Sequence, residues 1–323
     1  PLGLGEARRG LADLGKGVGE ESGARLPAQG GWPSPREPER CQALRRAPWP
    51  APAKLNLTLR VLGRREDGYH RLQTLFQFID YCDWLSLTPR SDGQIRLLTE
   101  IQGVSASSEL SVQAALRLKE VTGCNWGVDI GIEKRLPLGG GLGGGSSDAA
   151  TTLVALNRIW DTGLSLSDLA ELGLALGADV PVFVQGQAAW GEGVGECLTP
   201  VEVPEPWYLV MSPACVVSTA AVFADPELTR NSPSITMTDF LAGEDRNDCL
   251  DLVRLRYPAV AYALDWLGGF SRGRLTGTGA CVFAEFSSPE DAHDVLDQAP
   301  AELSGFVAKG MNRSPLLLRL AAD

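Results

Sequence analysis

The chain is short of the residues that metal and disulfide chemistry need. Its 323 residues include 2 histidines, His70 and His293, and 7 cysteines, with no C-x-x-C pair. Structural zinc and a disulfide framework are therefore not expected. The scattered thiols and the absence of an apolar secretion signal point to a reducing, bacterial cytoplasm with all seven cysteines free. Glu6, Asp13, Glu20 and Glu21 argue against a plastid or mitochondrial transit peptide. Basic charge is also scarce. Lys and Arg total 29 against 40 Asp and Glu, for a net charge of -11. Such a chain has no general attraction to nucleic acid or anionic lipid, so any phosphate must be held by a local device. Long apolar runs are missing too. The one charge-free stretch, Trp207 to Ala224, contains Ser212, Pro213, Ser218 and Thr219. It reads as a strand, a loop and a short helix, and not as a span of about 20 apolar residues. No methionine precedes Met211, so the sequence reads as starting inside a longer product or at a miscalled start.

What is present is a globular body behind an atypical tail. Residues 1–47 carry 8 basic and 6 acidic side chains without a hydrophobic period, and are expected to be disordered. From Trp49, the residues Ala53, Leu55, Leu57, Leu59 and Val61 alternate with Lys54, Asn56, Thr58 and Arg60. That predicts a half-buried strand with Lys54 and Asn56 on its polar face. Asp67-Gly68 marks a turn just before Tyr69 and His70. Strands are expected over Leu72–Ile79, Trp84–Leu87 and Val128–Ile132, with a helix over Leu110–Val121. A further helix should start at a Ser146 or Ser147 cap and run to about Trp160. Another is expected over Leu166–Leu176, capped by Ser165 and stopped by Gly177. Two α+β domains follow, 48–200 and 201–323.

The densest signal is Gly139-Gly140-Gly141-Leu142-Gly143-Gly144-Gly145-Ser146-Ser147, between a strand and a helix. Glycine lets backbone N–H groups approach a ligand closely, and a helix N-terminus favours an anion. A Walker loop needs a lysine that is missing here. Gly139, Gly141 and Gly144 also satisfy G-x-G-x-x-G, which leaves a dinucleotide-dependent oxidoreductase open. A flexible linker is the bland alternative.

Pro137 to Ala150 resembles the ATP-binding motif of the galactokinase, homoserine kinase, mevalonate kinase and phosphomevalonate kinase (GHMP) superfamily. Pro52-Ala53-Lys54-Leu55-Asn56-Leu57 and Leu275 to Phe283 resemble its N-terminal and C-terminal motifs, in the same order. Asp67-Gly68-Tyr69-His70, Leu176 to Phe183 and Glu192 to Glu196 resemble the branch whose acceptor is a cytidine-diphosphate-linked methylerythritol, phosphorylated at its 2-hydroxyl on the non-mevalonate route to isoprenoids. The resemblance implies an α+β fold: an N-terminal ribosomal-protein-S5-like ATP-binding domain and a C-terminal ferredoxin-like domain. It implies ATP as donor, Mg2+ as its companion, and small-molecule substrates of a monomer or weak homodimer.

The resemblance also implies roles. Asp179 becomes the catalytic base, with Lys54 paired to it; a turn or helix-capping Asp is the plainer alternative. Pro137, Gly139, Gly140, Gly141, Leu142, Gly143, Gly144, Gly145, Ser146 and Ser147 would cradle ATP, and Lys134 would border the nucleotide. Tyr69 and Phe223 would sandwich the cytosine and His70 would bond its edge. Asn56 and Thr219 would meet the rest of the acceptor, and Gly277, Thr278 and Gly279 its diphosphate. No metal ligand is assigned beyond the candidates Ser146 and Ser147. One departure stands out: the branch has Asn-Leu where this chain has Glu109-Leu110. Homoserine or mevalonate kinase activity and a non-catalytic nucleotide-binding regulator are the competing functions.

Overall fold

A computed structural model describes residues 47–101 and 103–322. The expected tail, save Ala47, and Cys41 lie outside the described residues. Two strands dominate, β1 (Trp49–Arg64) and β2 (His70–Arg90), paired antiparallel around the Asp67-Gly68 turn. The two short strands expected over Leu72–Leu87 are one continuous β2. Its register against β1 shifts at Pro52/Ala53, Asn56/Thr58 and Val61/Gly63; such bulges bend a long hairpin without ending it. Beyond them come β3 (Ile95–Leu97), β4 (Gly127–Glu133), β5 (Ala189–Glu192) and β6 (Cys197–Pro200). β4 and β5 pair with β2, β3 edges β4, and β6 edges β5.

Four helices cover this sheet: α1 (Leu110–Thr122), α2 (Gly144–Ile159), α3 (Leu166–Leu174) and α4 (Val180–Gln185). α2 is buried along nearly its whole length because its face is made of Ala, Thr and Leu. Small residues let it lie close to β1, β2 and three helices, and the core closes with Trp49, Phe78, Leu118, Leu153 and Phe183.

The second half is a four-stranded antiparallel sheet of β7 (Trp207–Pro213), β8 (Arg274–Leu275), β9 (Val282–Phe286) and β10 (Leu303–Met311). Its spatial order is β10-β7-β9-β8, the fourth-first-third-second order of a ferredoxin-like βαββαβ unit. Between β7 and β8 lie α5 (Thr219–Ala224), α6 (Met237–Leu241), α7 (Leu250–Arg256) and α8 (Pro258–Gly268). α9 (Pro289–Leu296) precedes β10 and α10 (Pro315–Ala322) follows it. The charge-free stretch is thus β7, a loop and α5, as read from the sequence. Among the described residues no helix is long and apolar enough to cross a membrane. Cys82, Cys124, Cys197, Cys215, Cys249 and Cys281 are free thiols.

The halves share an edge. Gly310 and Met311 of β10 pair with Ile79 and Phe78 of β2. Residues 246–248 run along β1, with Asp248 N–H donating to Leu59 O at 2.8 Å and Leu59 N–H to Arg246 O at 3.1 Å. This corrects the half-buried first strand: Trp49 to Val61 is buried on both faces. The polar residues alternate as expected, but they face the junction of the two halves and not water.

Candidate active site

At that junction lies a cavity of about 710 Å³. It is walled by β1, the glycine-rich loop, the start of α5 and the second glycine turn at 277–279. The glycine loop folds by alternation: Gly139, Gly141 and Gly143 sit at φ +68°, +76° and +77°. Side chains rarely adopt that left-handed region, and repeated passage through it is the kind of backbone from which anion nests are built. The expected serine cap is replaced. α2 starts two residues earlier than Ser146, its N-cap is Gly143, and no side chain caps it. Ser146 and Ser147 lie inside the first turn. A side-chain cap would have consumed N–H groups that here stay free for a ligand, beside the positive end of the helix dipole.

The two glycine turns interlock. Ala280 and Cys281 N–H donate to Gly139 O and Gly140 O at 3.1 and 3.0 Å. A β-carbon on Gly141 would come within 2.4 Å of Thr276 O. Cys281 packs under Gly140; burial pushes its thiol up to about 12, so it is a packing group and not a nucleophile. Asn247 Nδ2 donates to Leu275 O and Gly277 O at 2.9 and 2.8 Å, fixing the second turn from behind.

Lys54 and Asp179 meet between the two turns. Lys54 Nζ donates to Asn56 Oδ1 at 2.6 Å and Gly141 O at 2.9 Å, and lies 3.4 Å from Asp179 Oδ2. Two of its three N–H groups are thus hydrogen-bonded, and its charge faces Asp179. Asn56 is fixed in turn by donating to Thr74 Oγ1 at 2.8 Å, and Thr74 donates to Thr58 O at 2.7 Å. Asp179 does occupy the N-cap position of α4, the place expected for a capping aspartate. Yet its side chain accepts no hydrogen bond from that helix. Its carboxylate is one-third exposed and borders the cavity, while Lys54 is buried.

Lys134 reaches the same cavity, but its ammonium is engaged below the loop. It donates to Asp83, and to Asp148 Oδ2 at 2.7 Å. Asp83 Oδ1 also accepts Arg135 N–H and Leu136 N–H at 2.5 and 2.8 Å. Two buried carboxylates share one cation. Burial pushes Asp148 up to about 7, against the pull of Lys134. Asp148 Oδ1 and the buried Ser147 Oγ have no hydrogen-bond partner.

The far end of the cavity is aromatic. His70 opens β2 and stacks on Phe223 of α5, with centroids 5.1 Å apart and planes 28° apart. Tyr69 is half exposed beside them. Thr219 Oγ1 and Thr278 Oγ1 are 2.9 Å apart, tying α5 to the second turn. Every residue given a catalytic or binding role from the sequence lines this cavity except Ser147, which is buried just beneath it. Reading the sequence missed Thr74, Asp83, Asp148, Asn247 and Arg230. Asp83 carried a signal, a carboxylate in a strand between Cys82 and Trp84; the others carried none. Glu109 is not among the cavity-lining residues. It caps α1, accepting Ser111 N–H and Val112 N–H at 2.6 and 3.1 Å, which accounts for an acidic residue where the branch has asparagine.

Comparison with known proteins agrees with this layout. The models of the GHMP kinases N terminal domain and the GHMP kinases C terminal match residues 109–187 and 237–305. The chain is 59% identical over 269 residues to the 4-diphosphocytidyl-2-C-methyl-D-erythritol kinase of Nitrosococcus oceani, covering 83% of this chain and 96% of that one. It is 56% identical over 274 residues to the protein of the same name from Shewanella halifaxensis, covering 84% and 96%. A crystal structure of 4-(cytidine 5'-diphospho)-2C-methyl-D-erythritol kinase superposes with TM-score 0.71 at 32% identity, over 81% of this chain and 98% of that one. A mevalonate kinase, at 14% identity and TM-score 0.61, shares the fold. A two-domain α+β kinase fold, an anion nest opposite a Lys–Asp pair, and identities this high over nearly the full length of the relatives lead to one conclusion: the chain belongs to the 4-diphosphocytidyl-2-C-methyl-D-erythritol kinase family.

Proposed function

We propose that this enzyme transfers the γ-phosphoryl group of ATP to the 2-hydroxyl of 4-diphosphocytidyl-2-C-methyl-D-erythritol, in the non-mevalonate route to isoprenoid precursors. The observation that carries the reading is the position of Asp179 and Lys54: between two glycine turns that can each hold phosphate, with an aromatic end for a base. Gly139 to Gly145 and the first turn of α2 hold the ATP phosphates. Gly277 to Gly279 hold the acceptor's diphosphate, and Tyr69, His70 and Phe223 hold its cytosine. Stacking suits an acidic protein, because a neutral base gains dispersion without any net charge.

Asp179 accepts the proton of the acceptor hydroxyl, and Lys54 fixes the carboxylate in place. Asn56 and Gly141 O keep Lys54 from swinging away. Because phosphoryl transfer passes through a loose transition state, orientation of the hydroxyl matters as much as proton removal.

Mg2+ fits the residues present. It needs only one or two protein oxygens when phosphates and water supply the rest, and Ser146 lines the cavity at the helix start beside the glycine loop. Of the two candidate serines, Ser146 is the one at the cavity that would hold it, and it would neutralise charge on the β- and γ-phosphates.

The test is coupled ADP release with the cytidine-diphosphate acceptor, homoserine and mevalonate supplied in turn. Turnover with the first alone is the expected result. Turnover with either of the others, or with none, would overturn the reading.

A further inference from the structure

The base-recognising end contains a group that nothing in the sequence pointed to. Arg230 follows α5 in the loop after Pro226. Its Nε donates to His70 Nε2 at 3.1 Å. Its other nitrogens are clamped by backbone carbonyls of α5 and the loop that follows it: Phe223 O at 2.9 Å, Asp225 O at 2.6 Å and Leu228 O at 3.1 Å. The guanidinium therefore cannot swivel, and one of its clamps is the carbonyl of Phe223, the ring stacked on His70.

A guanidinium only donates. His70 Nε2 must then be the nitrogen with the lone pair, and the proton of the neutral ring sits on Nδ1. A second proton on the ring would point at the guanidinium. Burial, with Arg230 and Arg64 nearby, lowers the pKa of His70 accordingly. No protein group among the described residues is bonded to Nδ1, and His70 lines the cavity.

We propose that Arg230 is a positioning residue that selects the base: it locks His70 in the Nδ1–H tautomer, so that the free ring nitrogen of His70 offers a hydrogen-bond donor and no acceptor. Cytosine meets a donor with its unprotonated ring N3. Uracil carries a proton on N3 and would set donor against donor. Stacking on Phe223 and Tyr69 is indifferent to this difference, so discrimination between the two pyrimidines falls to the tautomer. The inference rests on the reading that the aromatic end binds the acceptor's base.

Two measurements test it. With only two histidines in the chain, long-range 15N–1H spectra of the 15N-labelled full chain read the His70 tautomer without any substrate, and His70→Gln assigns the signal. Wild type should carry the proton on Nδ1. Arg230→Met should move toward Nε2–H, the form favoured in water, and Arg230→Gln, which keeps a donor, should restore part of the Nδ1 form. A wild-type ring that is Nε2–H or charged at pH 7.5 overturns the proposal, whatever the variants do. In kinetics, the ratio of kcat/KM for the cytidine acceptor over its uridine analogue should fall about tenfold or more in Arg230→Met, with the KM for ATP unchanged. An unchanged ratio, or equal losses for ATP and acceptor, also overturns it. If neither acceptor is turned over by wild type while His70 is Nδ1–H, the functional reading has failed and the tautomer lock has not.

Discussion

Asp179 stands at the N-cap of α4 and caps nothing; its carboxylate turns instead to Lys54 Nζ, 3.4 Å away. An aspartate released from its local role leaves its helix without the side-chain cap worth about 1 kcal/mol. The arrangement makes sense where the carboxylate is used on something in the cavity.

Asp179→Asn should lower kcat by about 10²–10⁴-fold with little change in substrate affinity. Lys54→Met should also lose activity, and the double variant should lose little more than the worse single one, because the pair acts as a unit. Steady-state kinetics beside calorimetric binding of ATP and acceptor decide this. Near wild-type turnover in Asp179→Asn, or fully additive losses, would sink the assignment.

Gly141→Ala should disrupt both substrate sites at once. Its φ is +76°, and the new methyl would meet Thr276 O at 2.4 Å and Gly279 O at 3.0 Å. Backbone strain of about 1–3 kcal/mol is expected, with a lower Tm and a raised KM for both substrates. Gly123→Ala is the control. It has φ +67° with nothing within 4 Å, so it should lose some stability and keep both KM values.

The two acids on Lys134 should respond oppositely to neutralisation. Asp83 takes two backbone N–H groups as well as the lysine, so Asp83→Asn removes a buried charge partner and should cost about 3–5 kcal/mol. Asp148 is the one that burial makes harder to ionise. Its pKa is about 7 folded against the ordinary 3.8, so the folded state holds a proton that the unfolded state releases. Stability is therefore lost as pH rises from about 4 to about 7. Asp148→Asn removes that loss, and its Tm relative to wild type should climb between pH 5 and pH 8. Parallel Tm-versus-pH curves would show that Asp148 is ionised throughout.

Glu109→Asn should be almost silent, since asparagine caps as well, whereas Glu109→Ala should cost about 1 kcal/mol. Both should leave the KM for ATP unchanged, measured beside thermal melts. A raised KM in Glu109→Asn would place the side chain in nucleotide binding.

Local features were the legible ones. The alternation from Ala53 to Val61, the Asp67-Gly68 turn and the glycine run each reveal themselves within a few residues. What the alternation does not carry is what the polar face meets. Lys54 and Asn56 look like solvent-facing residues because a period of two separates faces, not environments. The start of α2 was misplaced because serine is the better ordinary cap, and the ligand-binding helix start forgoes one. Arg230, Asn247 and the pairing of Lys134 with Asp83 join residues 28 to 160 positions apart by tertiary contact, and no local pattern marks such pairs.

The shared edge between the halves also ties sequence-distant ends of the described chain together. Leu316 of α10 sits in the same core as Trp49 of β1, and Arg319 lies over the Trp49 ring at 5.2 Å. Gly310 and Met311 complete the far side of β2. Among the described residues, the strand that carries Lys54 is thus covered by a helix that lies far later in the chain. A nascent chain stalled midway would hold the glycine loop and Lys54 without the strand that seals their sheet. A chain cut short before Gly310 would leave this edge of β2 unpaired and the Trp49 ring without Leu316 and Arg319.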